Sequence, residues 1–240
     1  ESNGSVKYYT KDYISEEMVG DIRGMWPLSS NYGSGLSDAS VKAGTLTNNN
    51  SVTFTSSGVR GTAGSFNGSN QYLTAASSSN FDASTTMTFG AWIKTSSYTD
   101  QAIVQRVGNW GGTSTSAFYM ISVDTDGTAE AWWRDNTDGV TQDHNSSKIV
   151  ADGKWHHVLQ QRDGSISRIF IDGQLDGEVT LVETGTYTFD DPFVIGGTSG
   201  GSPGQPFNGL IDEPFITATV ISPDKIKKMY EVGKRALEGS

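Results

Sequence analysis

Cleaving a glycosidic bond takes two carboxylates flanking it, one as acid and the other as base or nucleophile. Along a strand, alternate side chains share a face, so a strand-borne set reads Glu-x-Asp-x-Glu. This chain has no such run. Glu130 is followed two residues on by Trp132, Glu183 stands alone, and the adjacent Asp212 and Glu213 face opposite ways if both lie in a strand. The expectation is therefore a non-enzyme, and a glycoside hydrolase ranks last among the readings. Histidine offers no substitute. His156 and His157 are neighbours that a strand would point to opposite faces, His144 completes the 3 histidines, and with 0 cysteines a zinc site is not expected. No serine-nucleophile motif or phosphate loop is present, and Gly196-Gly197 lacks the helix that a dinucleotide turn requires after it. Asp124, Asp126 and Gly127 have no Glu at the twelfth loop position of an EF-hand, so they read as a hairpin turn.

Sugar recognition asks for different groups: an exposed aromatic ring to stack on a pyranose, with amides, carboxylates or guanidinium groups for its hydroxyls. Alternation selects candidates. In Glu130–Asp135, Trp132 shares a face with Glu130 and Arg134, whereas Trp133 shares one with Ala131. Trp133 is then the core residue and Trp132 the outward one. Trp110, in the stretch Gly108-Asn109-Trp110-Gly111-Gly112, sits in a loop able to present its ring beside Asn109, with Tyr98, Arg106 and Gln142 as neighbours. The ligand-binding candidates are Trp132, Trp110, Glu130, Arg134 and Asn109.

The elements that must carry these residues are strands. From Asp152 to Gln174 the chain reads as Lys154–Gln161 and Ser165–Ile171 reversing at Asp163-Gly164, then turning again at Asp172-Gly173. Asp-Gly suits a two-residue hairpin because glycine takes positive φ without steric cost. Residues 102–107, 117–123 and 128–134 follow the same strand-and-turn pattern, with another reversal starting at Asp138-Gly139. Ser222 as N-cap, Pro223 at the first position and Asp224 in the first turn predict a C-terminal helix, continued by Ile226, Met229, Tyr230 and Gly233 at helical spacing.

Several of these segments resemble one family. Trp155-His156-His157-Val158 followed by Phe170-Ile171-Asp172-Gly173, Gly24-Met25-Trp26-Pro27-Leu28, Phe66-Asn67-Gly68, Met87 to Lys94, Pro192 to Gly197 and Phe207 to Glu213 are similar to the successive strands of laminin-G-like, concanavalin-A-like jelly rolls. The resemblance implies an all-β fold, a two-sheet antiparallel jelly-roll sandwich with a short C-terminal helix. It divides the chain into an N-terminal arm or connector (1–23), the jelly roll (24–221) and the helix with its tail (222–240). It implies a structural calcium held by Asp38, the Asn67-Gly68 turn and Asp212, with Asn67 standing where the family more often has Asp. It also places Trp26, Trp92 and Trp155 in the core.

Bulk properties agree with one large β domain. Hydrophobic residues are only 35% of the 240, but 29 glycines account for the deficit through turns, and 6 Trp, 9 Tyr and 10 Phe suffice for a core. A net charge of −10 disfavours nucleic acid and anionic membrane surfaces as partners, and no apolar run is long enough to insert in a bilayer. The reading is a non-catalytic glycan-binding or adhesion module, located outside the cell or on a cell or virion surface, with an oligosaccharide or polysaccharide as partner. The alternative is a structural protein of a virion, phage tail or bacterial surface assembly, docking through the N-terminal arm and the C-terminal helix.

Overall fold

A computed structural model describes residues 20–29, 35–40, 42–107, 118–134, 141–182, 191–197 and 205–239. Most of the expected N-terminal arm, the Asp138-Gly139 turn and the loop carrying Asn109 and Trp110 lie outside the described residues. In chain order the strands are β1 (Ile22–Met25), β2 (Thr47–Asn49), β3 (Thr53–Gly58), β4 (Gly61–Asn67), β5 (Tyr72–Ala75), β6 (Thr86–Lys94), β7 (Gln101–Val107) and β8 (Phe118–Val123). They continue with β9 (Thr128–Arg134), β10 (Thr141–Ile149), β11 (Trp155–Asp163), β12 (Ile166–Ile171), β13 (Gln174–Thr180), β14 (Phe193–Ile195) and β15 (Asn208–Thr217). One helix, α1 (Pro223–Glu238), follows. Among the described residues no helix is long and apolar enough to cross a membrane.

All pairings are antiparallel and form two sheets. One has eight strands in the order β13-β12-β11-β6-β15-β4-β3, with β1 paired to β15. The other has seven, ordered β10-β9-β8-β7-β14-β5-β2. This is the expected jelly-roll sandwich. Because β1 starts at Ile22 and pairs with Thr217, the sandwich takes in the last residues of the stretch expected as an arm.

The sheets' inner faces bury Trp26, Phe81, Phe89, Tyr119, Trp133, Phe193 and their aliphatic neighbours in one cluster. A second apolar cluster lies on the outer face of the eight-stranded sheet. There Trp92, Leu159, Phe170 and Phe215 meet Ile226 and Met229 of α1. The Trp92 ring stacks on Tyr230, with centroids 5.7 Å apart, and the helix approaches closely because Gly233 has no side chain to strike that ring. The apolar stripe of α1 is thus occupied by its own sheet, which leaves only its polar side for the docking role expected of it.

The two Asp-Gly reversals differ. At Asp172-Gly173 both residues have positive φ, 53° and 79°, as a type I′ turn demands. At Asp163-Gly164 only Gly164 does (62°), and β11 runs through Asp163 before turning.

Candidate functional site

Helix α1 occupies the outer face of one sheet. The candidates Glu130, Trp132 and Arg134 lie on the outer face of the other. Residues directly opposed across antiparallel strands share a face, so pairing identifies the set. Trp132 of β9 is flanked by Met120 of β8 and Asp143 of β10, Glu130 by Ser122 and Asn145, and Arg134 by Phe118 and Thr141. Trp133 points the other way, is 3% exposed, and donates its indole N–H to Ser167 Oγ at 2.8 Å. Strand alternation therefore does separate these two tryptophans. Trp132 is half-buried, with its ring 6.3 Å from that of Phe118. Its indole nitrogen and Arg134 Nε are both shielded and have no hydrogen-bond partner among the described residues. The Trp132 N–H faces Glu130 without closing a well-formed bond. Two adjacent orphan donors on one strand are unusual, since buried polar groups are ordinarily satisfied.

Beside them the fold assembles what no single strand contains. Asp100 precedes β7, Asp124 opens the β8–β9 turn, and Glu130 lies in β9; their carboxylate oxygens fall within 4.8 Å of one another. The turn is held by Asp126, whose Oδ1 accepts from Thr128 N (2.8 Å) and Oγ1 (2.6 Å), while Asn145 Nδ2 donates to Asp124 Oδ2 at 2.9 Å. Burial, reinforced by the charges of Asp124, Asp143 and Asp100, pushes Glu130 up to about 7. Burial and Asp124 also raise Asp100. Tyr98, 50% exposed, rests its ring on the Cα of Gly127, where an added Cβ would lie 2.6 Å from it. An exposed aromatic ring, three carboxylates and an amide thus adjoin the Trp132 face. The trio could offer oxygens to a cation, or hold a proton on Glu130 near neutrality. Periodicity within one strand could not reveal it, because its members come from three different elements.

The calcium set expected from the resemblance is not brought together. Asp38 accepts from Met25 N (3.0 Å), Ser40 N (2.9 Å), Ser40 Oγ (2.8 Å) and Ala43 N (2.7 Å), which engages the four lone-pair directions of a carboxylate. Asp212 accepts from Val59 N (2.7 Å), Arg60 N (3.3 Å) and Glu213 N (2.9 Å). Asn67 Oδ1 closes its own turn with Ser69 N and Asn70 N, and Gly68 N donates to Phe207 O. Asn67 pairs with Asn208, four positions before Asp212 on β15, a separation of about 13 Å. Asp38, Asn67, Gly68 and Asp212 therefore do not fit one calcium shell. Two of them are carboxylates that anchor backbone amides.

Other expected neighbours are engaged elsewhere. Arg106 is fully buried, 2.8 Å from Asp82 Oδ1, and donates to Asp191 O. Gln142 accepts from Val182 N at 2.8 Å. His156 and His157 do face opposite ways. His156 lies between Asp152 (3.0 Å) and Asp172 (2.9 Å), and His157 packs 5.0 Å from the Trp92 ring centroid. Trp155, expected in the core, is only half-buried beside α1.

Comparison with solved structures finds the same architecture. The fourth domain of AbnA, a GH43 extracellular arabinanase from Geobacillus stearothermophilus solved in complex with arabinotriose, superposes with a TM-score of 0.67 at 19% identity, over 87% of this chain and 98% of that one. The binding domain of Paraclostridial Mosquitocidal Protein 1 gives 0.67 at 11% identity, and the receptor binding domain of botulinum neurotoxin D 0.64 at 14%. They cover 89% and 88% of this chain, which spans about half of each toxin domain (52%). At these identities the likeness is one of fold. No curated protein sequence matches the chain. The model of the concanavalin A-like lectin/glucanases superfamily matches residues 67–227, two thirds of the length, and the chain belongs to that family.

Proposed function

We propose that this chain is a non-catalytic glycan-binding module that acts outside the cell and holds an oligosaccharide against the β9–β10 part of its seven-stranded sheet. The observation that carries this reading is the half-open Trp132 ring, on a face it shares with Glu130 and the half-buried Arg134. The ring supplies a stacking surface for a sugar, and the guanidinium of Arg134 a donor for its hydroxyls. Exposed Asp143 and half-buried Asn145 flank this face as further hydrogen-bonding groups. The arabinotriose complex of the AbnA domain makes arabino-oligosaccharides the first probes to try.

The test is a tryptophan-fluorescence titration with a broad oligosaccharide panel, run with calcium and again with chelator. Binding to at least one glycan is expected, weakened at least about 10-fold by Trp132→Ala, since an aromatic anchor at the centre of a site carries about 2 kcal/mol or more. Arg134→Met should weaken it less, through loss of one donor. Chelation is expected to leave binding intact, because Asp38 and Asp212 already serve backbone amides. A folded protein that binds nothing in the panel, or binding that Trp132→Ala leaves unchanged, refutes the proposal.

A further inference from the structure

On the outer face of the other sheet, the C-terminal end of α1 lies over β6 and β11, and two adjoining clefts of about 620 and 450 Å³ open beneath it. They share Lys94, Trp155 and Leu237. Both volumes lie in the range of small-molecule sites, about 300–1,000 Å³. Their charge is the notable property. The chain carries 17 Lys and Arg against 27 Asp and Glu, yet Arg60, Lys94, Lys154 and Lys234 line these clefts with Glu238 as the sole acid among the described lining residues. Lys154 pairs with Asp152 at 2.7 Å, and Lys234 lies 3.7 Å from Glu238. The half-buried Lys94 ammonium makes no ion pair or hydrogen bond among the described residues. It stands directly opposite Trp155 in the β6–β11 pairing, so a cation and a partly open indole share the wall common to both clefts. The exposed residues Ser56 and Ser57 are part of the lining of the larger one.

We propose that this cleft is a second binding site, for an acidic saccharide whose uronic-acid carboxylate pairs with Lys94 and whose ring stacks on Trp155. A cation with no ion pair among the described residues, set among other cations in an acidic protein, selects an anion. The indole plane and the nearby serines select a sugar ring over a simple carboxylate. This site does not depend on the β9–β10 reading, which concerns the other sheet.

Isothermal titration at low salt with trigalacturonate, neutral galactotriose and citrate tests it on the full chain. Trigalacturonate should bind saturably and more weakly as salt rises, with the other two at least about 10-fold weaker. Lys94→Gln should weaken it about 10- to 100-fold, the range for a hydrogen bond to a charged group, and Lys94→Arg should restore it to within a few-fold. Trp155→Phe, which keeps a ring, should weaken it several-fold. Melting curves of each variant establish that it is folded, and the Lys94→Arg comparison stands even if the glutamine variant is not. Equal binding of the neutral trimer, equal binding of citrate, or the same affinity in wild type, Lys94→Gln and Lys94→Arg overturns the proposal. So does loss of trigalacturonate binding on Trp132→Ala alone, which would assign the ligand to the other sheet.

Discussion

Replacing Glu213 by glutamine should stabilise this protein, and do so increasingly as pH rises. Glu213 sits at a bulge in β15 with φ of 51°, is 1% exposed, and neither carboxylate oxygen has a hydrogen-bond partner among the described residues. Burial pushes its pKa well above the usual carboxylate range, because an ionised group there has nothing to replace its lost hydration. An unfolded glutamate ionises near pH ~4.3. Above that pH the folded protein holds a proton that the unfolded chain has released. Stability then falls by about 1.4 kcal/mol per pH unit for as long as the folded carboxyl stays protonated. Glutamine has the same shape and does not titrate. Near pH ~4.3 the neutral acid and the amide are equally unpartnered, so the two proteins should unfold alike. At about 1.5 units higher, Glu213→Gln should be more stable by about 2 kcal/mol, which is roughly 4–8 °C in Tm for a chain of this size. Calorimetry of both proteins from pH 4 to 7 measures the difference. Parallel stability curves, or a glutamine variant less stable at pH 6, would refute the assignment of a buried, protonated Glu213.

Three other perturbations test other parts of the account. Burial alone would lower the pKa of His156, but Asp172 and Asp152 outweigh it and raise the pKa, so its contribution is complete below the unfolded value and lost as pH rises through the folded one. Burial likewise opposes ionisation of Asp172, yet His156 and Lys148 hold it down at about 2, so that contribution is present above the ordinary Asp range and lost in strong acid. His156→Gln should therefore cost about 2 kcal/mol at pH 6 and less at pH 8.5, read by urea denaturation. Asp124→Asn should lower the Glu130 pKa from about 7 by less than half of its shift, since burial is the larger cause; carboxyl NMR titration reads this directly. Gly233→Ala places a Cβ 2.4 Å from Trp92 Cζ2, so it should destabilise by about 1–3 kcal/mol although alanine is the better helix former. An unchanged urea midpoint would mean that α1 is not seated on Trp92.

What the amino-acid sequence determined by itself was the local grammar of this fold. Strand alternation sent Trp133 inward and Trp132 outward, Asp172-Gly173 specified a hairpin, and Ser222-Pro223-Asp224 marked where α1 starts, because each depends on residues within a few positions of one another. The family motifs extended that grammar to the whole sandwich. Function lies in long-range contacts, and there only tertiary structure decided. Asp100, Asp124 and Glu130 meet because β7, β8 and β9 are neighbours in one sheet, which no motif within a strand encodes. Asp38 and Asp212, metal ligands by resemblance, are acceptors for backbone amides, since what occupies a carboxylate's lone pairs depends on which strands pass beside it. Trp155 is placed in the core by the resemblance, yet it is half-open beside the end of α1, and the cations that line the clefts around it come from β6, from the turns after β3 and before β11, and from the helix. Hydrophobic periodicity records which side of an element faces inward. It carries no information about which elements become neighbours, and that is what builds a site.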